Sequence, residues 1–559
     1  MQPLLAEERQ KDGGDPFDSI RSIEDGPAYA IDSATTSEVD DAIGLEVDPV
    51  TGEEYFTVYV SDATVYCPYD SPLELLTARN LATTTYLPEG VFFMLPKAIV
   101  EAATLREDRP CRTFCIRFQI HPTTGELHHY SVHVSWLKQL RRVTYDQVQQ
   151  LLEERGATKG GQKRPAGVGE GGHPPPAWLK KKDESVLLRI YEMAKVRFAA
   201  RVARGEKEGR AAIDSSLPDP LIKVKDRQVV SLTDQILSTQ DARLAVAELM
   251  IAANEVCSRV AQSHQLCIPY RGTRSLSSDH EIAQHYVEPA GVVTPSSLDR
   301  SRTFMAESIV QTVRRLSAVT RAIYYHLPLH HSGLDTSFYT HSTSPLRRYA
   351  DMLVHHQLKV LVWEEQKRKG NAPRMPANSF FSLQTIPEHS MASLCQTIST
   401  KQMQSSLLQD SSNRYWTLRY MEDLLRRDPR RRFLCLVGEV RCIEAAPAYR
   451  RATTHVRDTL AAVSTLPSPT ADGCHYKPQT QERPEKYVSD IYLPEIQFAH
   501  TVYHSEPHLK VGVLAECVVV DLLPTQGLLE LKVVNVREDM DEVQSEKLWR
   551  GAAVAGLDA

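Results

Sequence analysis

Four carboxylates lie close together near the start of the chain: Asp32, Glu38, Asp40 and Asp41 fall within the ten residues DSATTSEVDD. Like charges a few ångströms apart repel by roughly 4 kcal/mol per pair at an effective dielectric constant of about 20. Such a group therefore persists only if its members are separated by solvent, protonated or neutralised by a cation. An oxygen-only ligand set suits Mg²⁺, with Mn²⁺ as the alternative, rather than zinc. The segment is a candidate metal site, although the spacing alone also fits a solvated acidic turn.

A second candidate segment is YTHSTSPLRRYADMLVHHQL, residues 339–358. Ser344, followed by proline, is predicted to cap a helix whose first turn contains Arg347 and Arg348. Cations at a helix start oppose the helix dipole by ~0.3 to 1 kcal/mol each. That unfavourable placement is explained if the free amides and both guanidiniums bind an anion such as phosphate. The alternative is two ordinary exposed arginines, one of them paired with Asp351.

The composition bounds the classes of protein to consider. The chain has 559 residues, of which 42% are hydrophobic and 24% charged, and its net charge is −6. That length predicts about three or four domain-sized units, and the acidic balance means that any nucleic-acid site must be a local patch. No run approaches the ~18 apolar residues of a membrane span. The ten cysteines lack CxxC pairs and are predicted to be reduced core residues rather than zinc ligands.

Hydrophobic periodicity predicts an α+β fold. Alternating segments at 54–67 and 111–121 are typical of strands, and Thr144 with Gln147 forms a candidate capping box for a helix. Apolar residues recur at helical spacing in the middle of the chain, at 185–204, 241–264 and 303–323.

The end of the chain has a different pattern. Beyond Arg432, short strand-like runs separated by turn residues predict a small closed barrel such as an OB fold. The predicted organisation is a polar lead-in at 1–27, a first folded region at 28–425 with a flexible insertion at about 156–183, a barrel at 430–540 with a disordered insertion at about 444–486, and a tail at 541–559.

Together the two segments resemble the signature of the RNase II or RNB family of 3′-to-5′ exoribonucleases. The acidic motif of that family appears as Asp32 to Asp41, and its HxGL…TSPxRRYxD motif as His331 to His355. Further landmarks follow in the family's order, and the similarity spans about residues 28–422: TTYLPEG with Tyr86, VTYDQV with Tyr145, AELMIAANE with Glu248 and PYRG with Arg271. The motifs are most similar to the organellar and cyanobacterial branch. The resemblance implies an RNB catalytic domain, a mixed β-sheet core wrapped by helices, followed by an OB-fold-like barrel.

The resemblance also implies roles for the acidic and basic residues. Asp32, Glu38, Asp40 and Asp41 would hold Mg²⁺ and the attacking water, with Asp40 as the strongest candidate for an essential residue. Asp40, Asp41 and Arg347 are the predicted catalytic residues, because Arg347 would stabilise charge on the scissile phosphate. Glu38 stands where the family more often has aspartate.

Four residues are predicted by the resemblance to bind RNA. Arg348 would hold the backbone, and Tyr86 would stack on the last base, a contact of ~1 to 3 kcal/mol that is indifferent to sequence. Tyr145 and Glu248 would read the terminal nucleotide or its sugar, because the 2′-hydroxyl is what distinguishes RNA from DNA. Gln409 stands about where the family often has a glutamate.

The implied activity is Mg²⁺-dependent hydrolysis of single-stranded RNA to 5′-mononucleotides in RNA processing or turnover. The cold-shock barrels with which relatives grip RNA have no counterpart here. This implies weak binding alone, an RNA helicase or other RNA-binding subunit as partner, or a longer natural chain. The resemblance favours an organelle, mitochondrion or plastid, although no transit peptide is visible. Two alternatives stay open: a catalytically degenerate RNA-binding scaffold in a larger complex, and a metal-dependent DNA phosphodiesterase.

Overall fold

The computed structural model describes residues 15–34, 36–157, 176, 178–207, 220–234, 239–273, 322–371, 383–442, 487–493, 496, 498–504 and 514–537. The chain divides into two compact units. The first comprises Met1–Ser216, Gln235–Glu288 and Arg315–Ser412, and the second comprises Leu217–Asp234, Pro289–Arg314 and Asn413–Ala559.

Helices and strands are mixed along both units, as the α+β prediction requires. The strands are β1 (Ser22–Asp32), β2 (Asp41–Val47), β3 (Glu54–Ser61), β4 (Thr85–Leu87), β5 (Gly90–Phe92), β6 (Cys111–Ile120), β7 (Leu127–Thr144), β8 (Pro220–Lys225), β9 (Gln228–Asp234), β10 (Tyr270–Gly272), β11 (Ile323–Tyr325), β12 (Phe433–Cys442), β13 (Tyr487–Leu493), β14 (Phe498–His504), β15 (Leu514–Leu523) and β16 (Leu528–Arg537). The helices are α1 (Pro72–Leu76), α2 (Ala78–Leu81), α3 (Lys97–Ala103), α4 (Tyr145–Glu154), α5 (Lys181–Lys207), α6 (Gln240–Ser263), α7 (Tyr349–Arg368) and α8 (Glu388–Arg427).

A closed five-stranded barrel, in the order β1-β2-β3-β6-β7, forms the centre of the first unit. Strands β3 and β6 lie within the two segments predicted from alternation, and Phe56, Val58, Phe114 and Phe118 from these strands are at most 1% exposed. Neighbouring strands are antiparallel except β1 and β7, which run parallel. Because the barrel closes on itself, none of its strands leaves an unpaired edge.

The predicted polar lead-in extends too far into the fold. Phe17 is 3% exposed and packs edge-on against Trp363 at 5.3 Å between ring centroids. Arg21 is also buried and forms ion pairs with Asp15 at 2.7 Å and Asp62 at 2.6 Å. Because these polar residues neutralise one another inside the protein, their composition conceals their burial. Residues 15–27 therefore belong to the fold, and the lead-in prediction fails from Asp15 onward.

The helices of the first unit follow the predicted periodicity. The capping box of Thr144 and Gln147 is present at the start of α4. Helix α5 covers the predicted segment 185–204, and α6 covers all of the predicted segment 241–264 except its last residue. Helix α5 begins inside the predicted insertion, where Asp183 accepts a 2.7 Å hydrogen bond from the Tyr29 hydroxyl. Residues 158–175 and 177 of that insertion, and nearly all of the predicted helix at 303–323, lie outside the described residues.

The start of α7 differs from the prediction. The helix begins at Tyr349, and Arg348 is its N-cap in an extended conformation, with φ −135° and ψ 123°. Residues 344–347 form a turn in which the amides of Arg347 and Arg348 both donate to the Ser344 carbonyl, at 3.3 and 3.0 Å. Ser344 is therefore not the cap, because the carboxylate of Asp351 accepts its amide at 2.8 Å and holds the turn outside the helix.

The second unit contains a five-stranded antiparallel sheet in the order β14-β13-β12-β15-β16. Its core includes the buried residues Phe433, Cys435, Ile491, Leu493 and Cys517. The predicted strands are thus observed, whereas closure into an OB barrel is not confirmed. The predicted insertion at 444–486 and the tail at 541–559 fall outside the described residues. None of the helices in the described ranges is long and apolar enough to cross a membrane.

Candidate active site

The acidic residues converge on one rim of the barrel. Strands β1 and β7 run parallel, so their carboxyl ends meet, and Asp32 is the register partner of Thr144. Strand β2 runs back from the same rim and begins at Asp41. Strands β1 and β2 are antiparallel, and Ala28 pairs with Gly44. Continuing this register four residues forward along β1 and four residues back from Gly44 would place Asp32 opposite Asp40. Neighbouring strand ends therefore bring these carboxylates together.

Burial raises the pKa of every acid in this group. The pKa rises to about 6 for Asp32 and to about 7 for Asp40, mainly by desolvation, and Arg347 opposes both shifts. For Asp41 the pKa rises to about 8, because the charges of Asp32 and Asp40 add to desolvation. Desolvation also raises the pKa of Glu38. These groups carry too little compensating positive charge to be ionised together at neutral pH without a further cation.

The arginine segment reaches the same rim. The amide of Leu346 donates to Asp40 Oδ1 at 2.9 Å across 306 residues of sequence, and Arg347 Nε lies 3.5 Å from Asp40 Oδ2. The predicted convergence of acids and arginines is thus observed. The prediction that amides of the first helical turn bind an anion is wrong, because Arg347 and Leu346 lie in the turn before α7 and the Leu346 amide donates to Asp40. The Arg347 side chain is 46% exposed and available to an anion.

Backbone contacts hold this turn in place. The amide of Thr84 donates to the Arg347 carbonyl at 3.0 Å, and the amide of Tyr349 donates to the Ala82 carbonyl at 2.9 Å. The guanidinium of Arg348 makes two hydrogen bonds to Asp351, at 3.0 and 2.9 Å, and is 19% exposed. Arg348 is therefore largely committed to shaping the turn, whereas Arg347 faces outward.

Tyr86 lies on the β4–β5 hairpin beside the acids and is 40% exposed. The charges of Arg347, Glu38 and Asp40 act on its pKa, which burial raises well above the usual value. Helix α8 anchors the hairpin, since the Tyr86 amide donates to Gln409 Oε1 at 3.4 Å and the hydroxyls of Thr85 and Ser405 are 2.7 Å apart. An exposed ring on an anchored hairpin next to the carboxylates is suited to stacking on a base.

Tyr145 is the first residue of α4, directly after the register partner of Asp32. Burial raises the pKa of its phenol, and the charges of Asp41 and Asp32 add to that shift. The Arg243 guanidinium carbon lies 4.4 Å from the centroid of the Tyr145 ring. Sequence reasoning missed Arg243, because no motif connects the start of α6 to the barrel rim.

Glu248 is not brought to the rim as an accessible side chain. It is 1% exposed, and its carboxylate pairs with Arg201 at 2.5 Å, while the same guanidinium donates to the Leu334 carbonyl at 3.0 Å. The predicted RNA contact therefore conflicts with the structure. The physical reason is that an ion pair neutralises Glu248 within the interior.

The donors at the rim fit a hard divalent cation in type. All are carboxylate oxygens, and Glu38 Oε2 is inaccessible to solvent without a hydrogen-bond partner among the described residues. Within those residues, no group of three or more His, Cys, Asp or Glu side chains is close enough to form a ready metal site. The residues that would hold a metal are Asp32, Glu38, Asp40 and Asp41.

Curated relatives match this chain over much of its length. The RNB domain family matches residues 20–364. The chain is 52% identical to mitochondrial exoribonuclease DSS-1 of Trypanosoma brucei brucei, over 100% of this chain and 78% of that protein. An uncharacterized ribonuclease of Synechocystis is 26% identical over 70% of this chain and 48% of its own length. The chain thus spans about half of the cyanobacterial relative and most of DSS-1.

A solved structure shares the fold. RNase R from Mycoplasma genitalium, in complex with double-stranded RNA, aligns with 95% of this chain and 80% of its own length. The TM-score is 0.66 and the sequence identity 16%, so this likeness concerns the fold alone. The family match across more than half of the sequence and the identity to DSS-1 confirm the predicted membership: the chain belongs to the RNB family of exoribonucleases.

Proposed function

We propose that the chain is a Mg²⁺-dependent exoribonuclease that hydrolyses single-stranded RNA from the 3′ end and releases 5′-mononucleotides. The observation that carries the proposal is the meeting of Asp40 with the Leu346 amide and Arg347 at the acidic barrel rim. A structural acidic turn has no need of buried carboxylates with raised pKa values. The same feature weighs against the scaffold alternative.

Each residue at the rim has a distinct proposed task. Asp32, Glu38, Asp40 and Asp41 would hold a divalent cation, which would supply Lewis acidity and lower the pKa of water. Arg347 stabilises the charge that develops on the scissile phosphate, and its exposed guanidinium has the planar donors that phosphate oxygens accept. Asp40 orients that guanidinium through its ion pair with Arg347 Nε. Arg348 acts through Asp351 on the shape of the turn, and so helps to hold Arg347 in position for its contact with the phosphate of the RNA backbone.

Tyr86 and Tyr145 are proposed to position the terminal nucleotide. The exposed Tyr86 ring stacks on the last base without regard to its identity, which suits an enzyme that degrades any sequence. Tyr145 lies next to Asp32 and Asp41 and is placed to contact the sugar. For Glu248 we propose a structural role in place of a direct contact with RNA: it holds Arg201, which binds the Leu334 carbonyl.

The names of the relatives extend the proposal to location. DSS-1 of Trypanosoma is mitochondrial by name, and a further relative at 25% identity is the chloroplastic and mitochondrial ribonuclease II of Arabidopsis thaliana. We propose that this chain also acts in an organelle on single-stranded RNA. An RNA helicase or another RNA-binding subunit is the proposed partner.

A paired assay tests the proposal. The chain is incubated with Mg²⁺ or Mn²⁺ and an oligonucleotide labelled at its 3′ or its 5′ end, as RNA and as DNA of the same sequence. We expect labelled mononucleotide at once from 3′-labelled RNA, gradual shortening of 5′-labelled RNA and little cleavage of DNA. Absence of mononucleotide with either metal would favour the scaffold, and equal cleavage of both polymers would favour a nuclease of broad choice.

The raised pKa values predict that the metal-free protein loses stability as pH rises. Carboxyls of the unfolded chain titrate near pH ~4, whereas those of Asp32, Asp40 and Asp41 titrate at about 6, 7 and 8 in the folded chain. Between those values the folded state binds more protons, so the free energy of unfolding falls as pH rises. The penalty is absent below the unfolded pKa and complete above the folded pKa.

Thermal melts in EDTA at pH 5 and pH 8 measure this effect. We expect Asp41→Asn to raise the melting temperature at pH 8 and to raise it much less at pH 5, and we expect Mg²⁺ to stabilise the parent most at pH 8. Asp48→Asn is the matched control, since Asp48 accepts the amides of Val50 and Thr51 in an exposed turn. An equal effect of Asp41→Asn at both pH values would contradict the assignment.

A further inference from the structure

We propose that Arg243 is a positioning residue that fixes the ring of Tyr145 at the acidic rim and thereby sets the preference for a ribose at the RNA 3′ end. The inference rests on the proposed function, because it concerns the substrate selectivity of that same site. The chemical group to be recognised is the 2′-hydroxyl of the terminal nucleotide, which can both donate and accept a hydrogen bond.

The backbone of Tyr145 is fixed by the barrel and by a helix cap. Thr144 pairs with Asp32 in the β1–β7 ladder. The Thr144 hydroxyl accepts the Gln147 amide at 3.2 Å, and the Gln147 side chain accepts the Thr144 amide at 2.9 Å. The Cα of Tyr145 therefore has a defined place beside the carboxylates. The orientation of its ring needs a further contact.

Arg243 supplies that contact from a different helix. Its guanidinium carbon is 4.4 Å from the Tyr145 ring centroid, and its Nε donates to Thr239 Oγ1 at 2.9 Å. Arg243 thus bridges the residue before α6 and the first residue of α4. A cation near the start of α6 is unfavourable towards the helix dipole, so the helix itself does not account for an arginine there. The face of Tyr145 does, through a cation–π contact.

The joint between α4 and α6 does not depend on Arg243. The side chain of Gln149 accepts the Ala242 amide at 3.1 Å and donates to Asp241 at 3.3 Å. The hydroxyl of Tyr191 donates to the same carboxylate at 2.5 Å. Loss of the Arg243 side chain therefore frees the Tyr145 ring while the two helices stay in register. This separation makes a positioning role testable without loss of the fold.

Two observations direct the ring to the sugar rather than to a base. One face of Tyr145 is covered by the guanidinium, so that face is closed to stacking. The charges of Asp32 and Asp41 act on the phenol, and Tyr145 directly follows the register partner of Asp32, so the ring lies near these carboxylates. Glu248, the other candidate for reading the sugar, is held by Arg201 in a buried ion pair. Discrimination at this site therefore falls to Tyr145 and to the residue that orients it.

The test compares an oligoribonucleotide with the same oligomer carrying a single 2′-deoxynucleotide at its 3′ end. The measured quantity is the ratio of kcat/KM values for release of the first nucleotide. We expect Arg243→Ala to reduce the ribose preference about tenfold, the size of the net contribution of one neutral hydrogen bond, and Arg243→Lys to restore much of it because the cation over the ring is kept. Arg259→Ala is the matched control on α6, where Arg259 pairs with Glu255 at 3.4 Å.

A double-mutant cycle separates positioning from a general loss of structure. Tyr145→Phe by itself is expected to lower the ratio of kcat/KM values. Arg243→Ala should cause no further decrease when it is combined with Tyr145→Phe. An unchanged ratio in Arg243→Ala, with both oligomers still degraded, would overturn the inference and leave the proposed function standing. Equal slowing on both oligomers with a lowered melting temperature would also overturn it, as a purely structural effect. If the parent degrades neither oligomer, the proposed function fails and the inference fails with it.

Discussion

Asp40→Asn is expected to slow mononucleotide release from single-stranded RNA by at least about a hundredfold while RNA binding stays nearly intact. Asparagine keeps an oxygen that can accept the Leu346 amide, so the turn before α7 stays in place. The substitution removes the charge that faces Arg347 and that a divalent cation requires. Rates are measured in single turnover with Mg²⁺, and binding is measured by fluorescence anisotropy in EDTA.

Asp48→Asn applies the same chemical change to an exposed turn eight residues further on and should leave both rate and binding unchanged. A second control is the thermal melt, in which Asp40→Asn should be at least as stable as its parent at pH 8 in EDTA, because a buried charge is lost. An Asp40→Asn protein as active as its parent would refute the metal-site assignment. A loss of rate accompanied by unfolding would equally deny that the charge acts in chemistry.

Arg347→Ala is expected to reduce the rate by about 10² to 10³, the loss that follows removal of one donor to a developing negative charge. Arg347→Lys should recover only part of it, since an ammonium is a point charge without the planar pair of donors. Because the Arg347 side chain is 46% exposed and lies 3.5 Å from Asp40, Arg347→Lys, which keeps the charge, should leave the melting temperature unchanged, and Arg347→Ala should lower it less than loss of a fully buried partner would. Single-turnover rates at saturating RNA separate this loss of chemistry from a loss of binding.

The adjacent arginine gives a contrasting control. Arg348→Ala would leave the fully buried carboxylate of Asp351 without its partner, so this variant should be destabilised as well as slowed. Arg106→Ala, which removes an exposed pair with Asp108, should affect neither quantity. If Arg347→Ala and Arg348→Ala lost stability equally and kept the same rate per folded molecule, Arg347 would have no part in charge stabilisation.

The sequence was most informative where residue type alone carries the chemistry. Clustered carboxylates and paired arginines pointed to one site, and the alternation of β3 and β6 and the cap at Thr144 were sufficient to predict local structure. These features depend on neighbours in sequence or on the chemistry of the side chain itself.

Predictions that depended on distant partners were less successful. Serine followed by proline is typical of a helix N-cap, yet at Ser344 the carboxylate of Asp351 binds the amide and the helix starts at Tyr349. Arg21 and Glu248 look like surface residues until Asp62 and Arg201 neutralise them in the interior. Arg243 reaches Tyr145 from another helix and has no local signature. In each case the structure depends on a contact with a residue elsewhere in the chain, and hydrophobic periodicity does not predict which residues form such contacts.

The contact between Asp40 and the Leu346 amide also bears on how the protein is made. A nascent chain that has emerged from the ribosome only as far as Thr340 already carries the acids and both tyrosines, but it lacks the turn that binds Asp40 across 306 residues. Asp40 then has neither the Leu346 amide nor the Arg347 guanidinium beside it. Translation must therefore pass Arg348 before the two halves of the site can meet, so the ability to cut RNA would be acquired late in synthesis and withheld from unfinished chains.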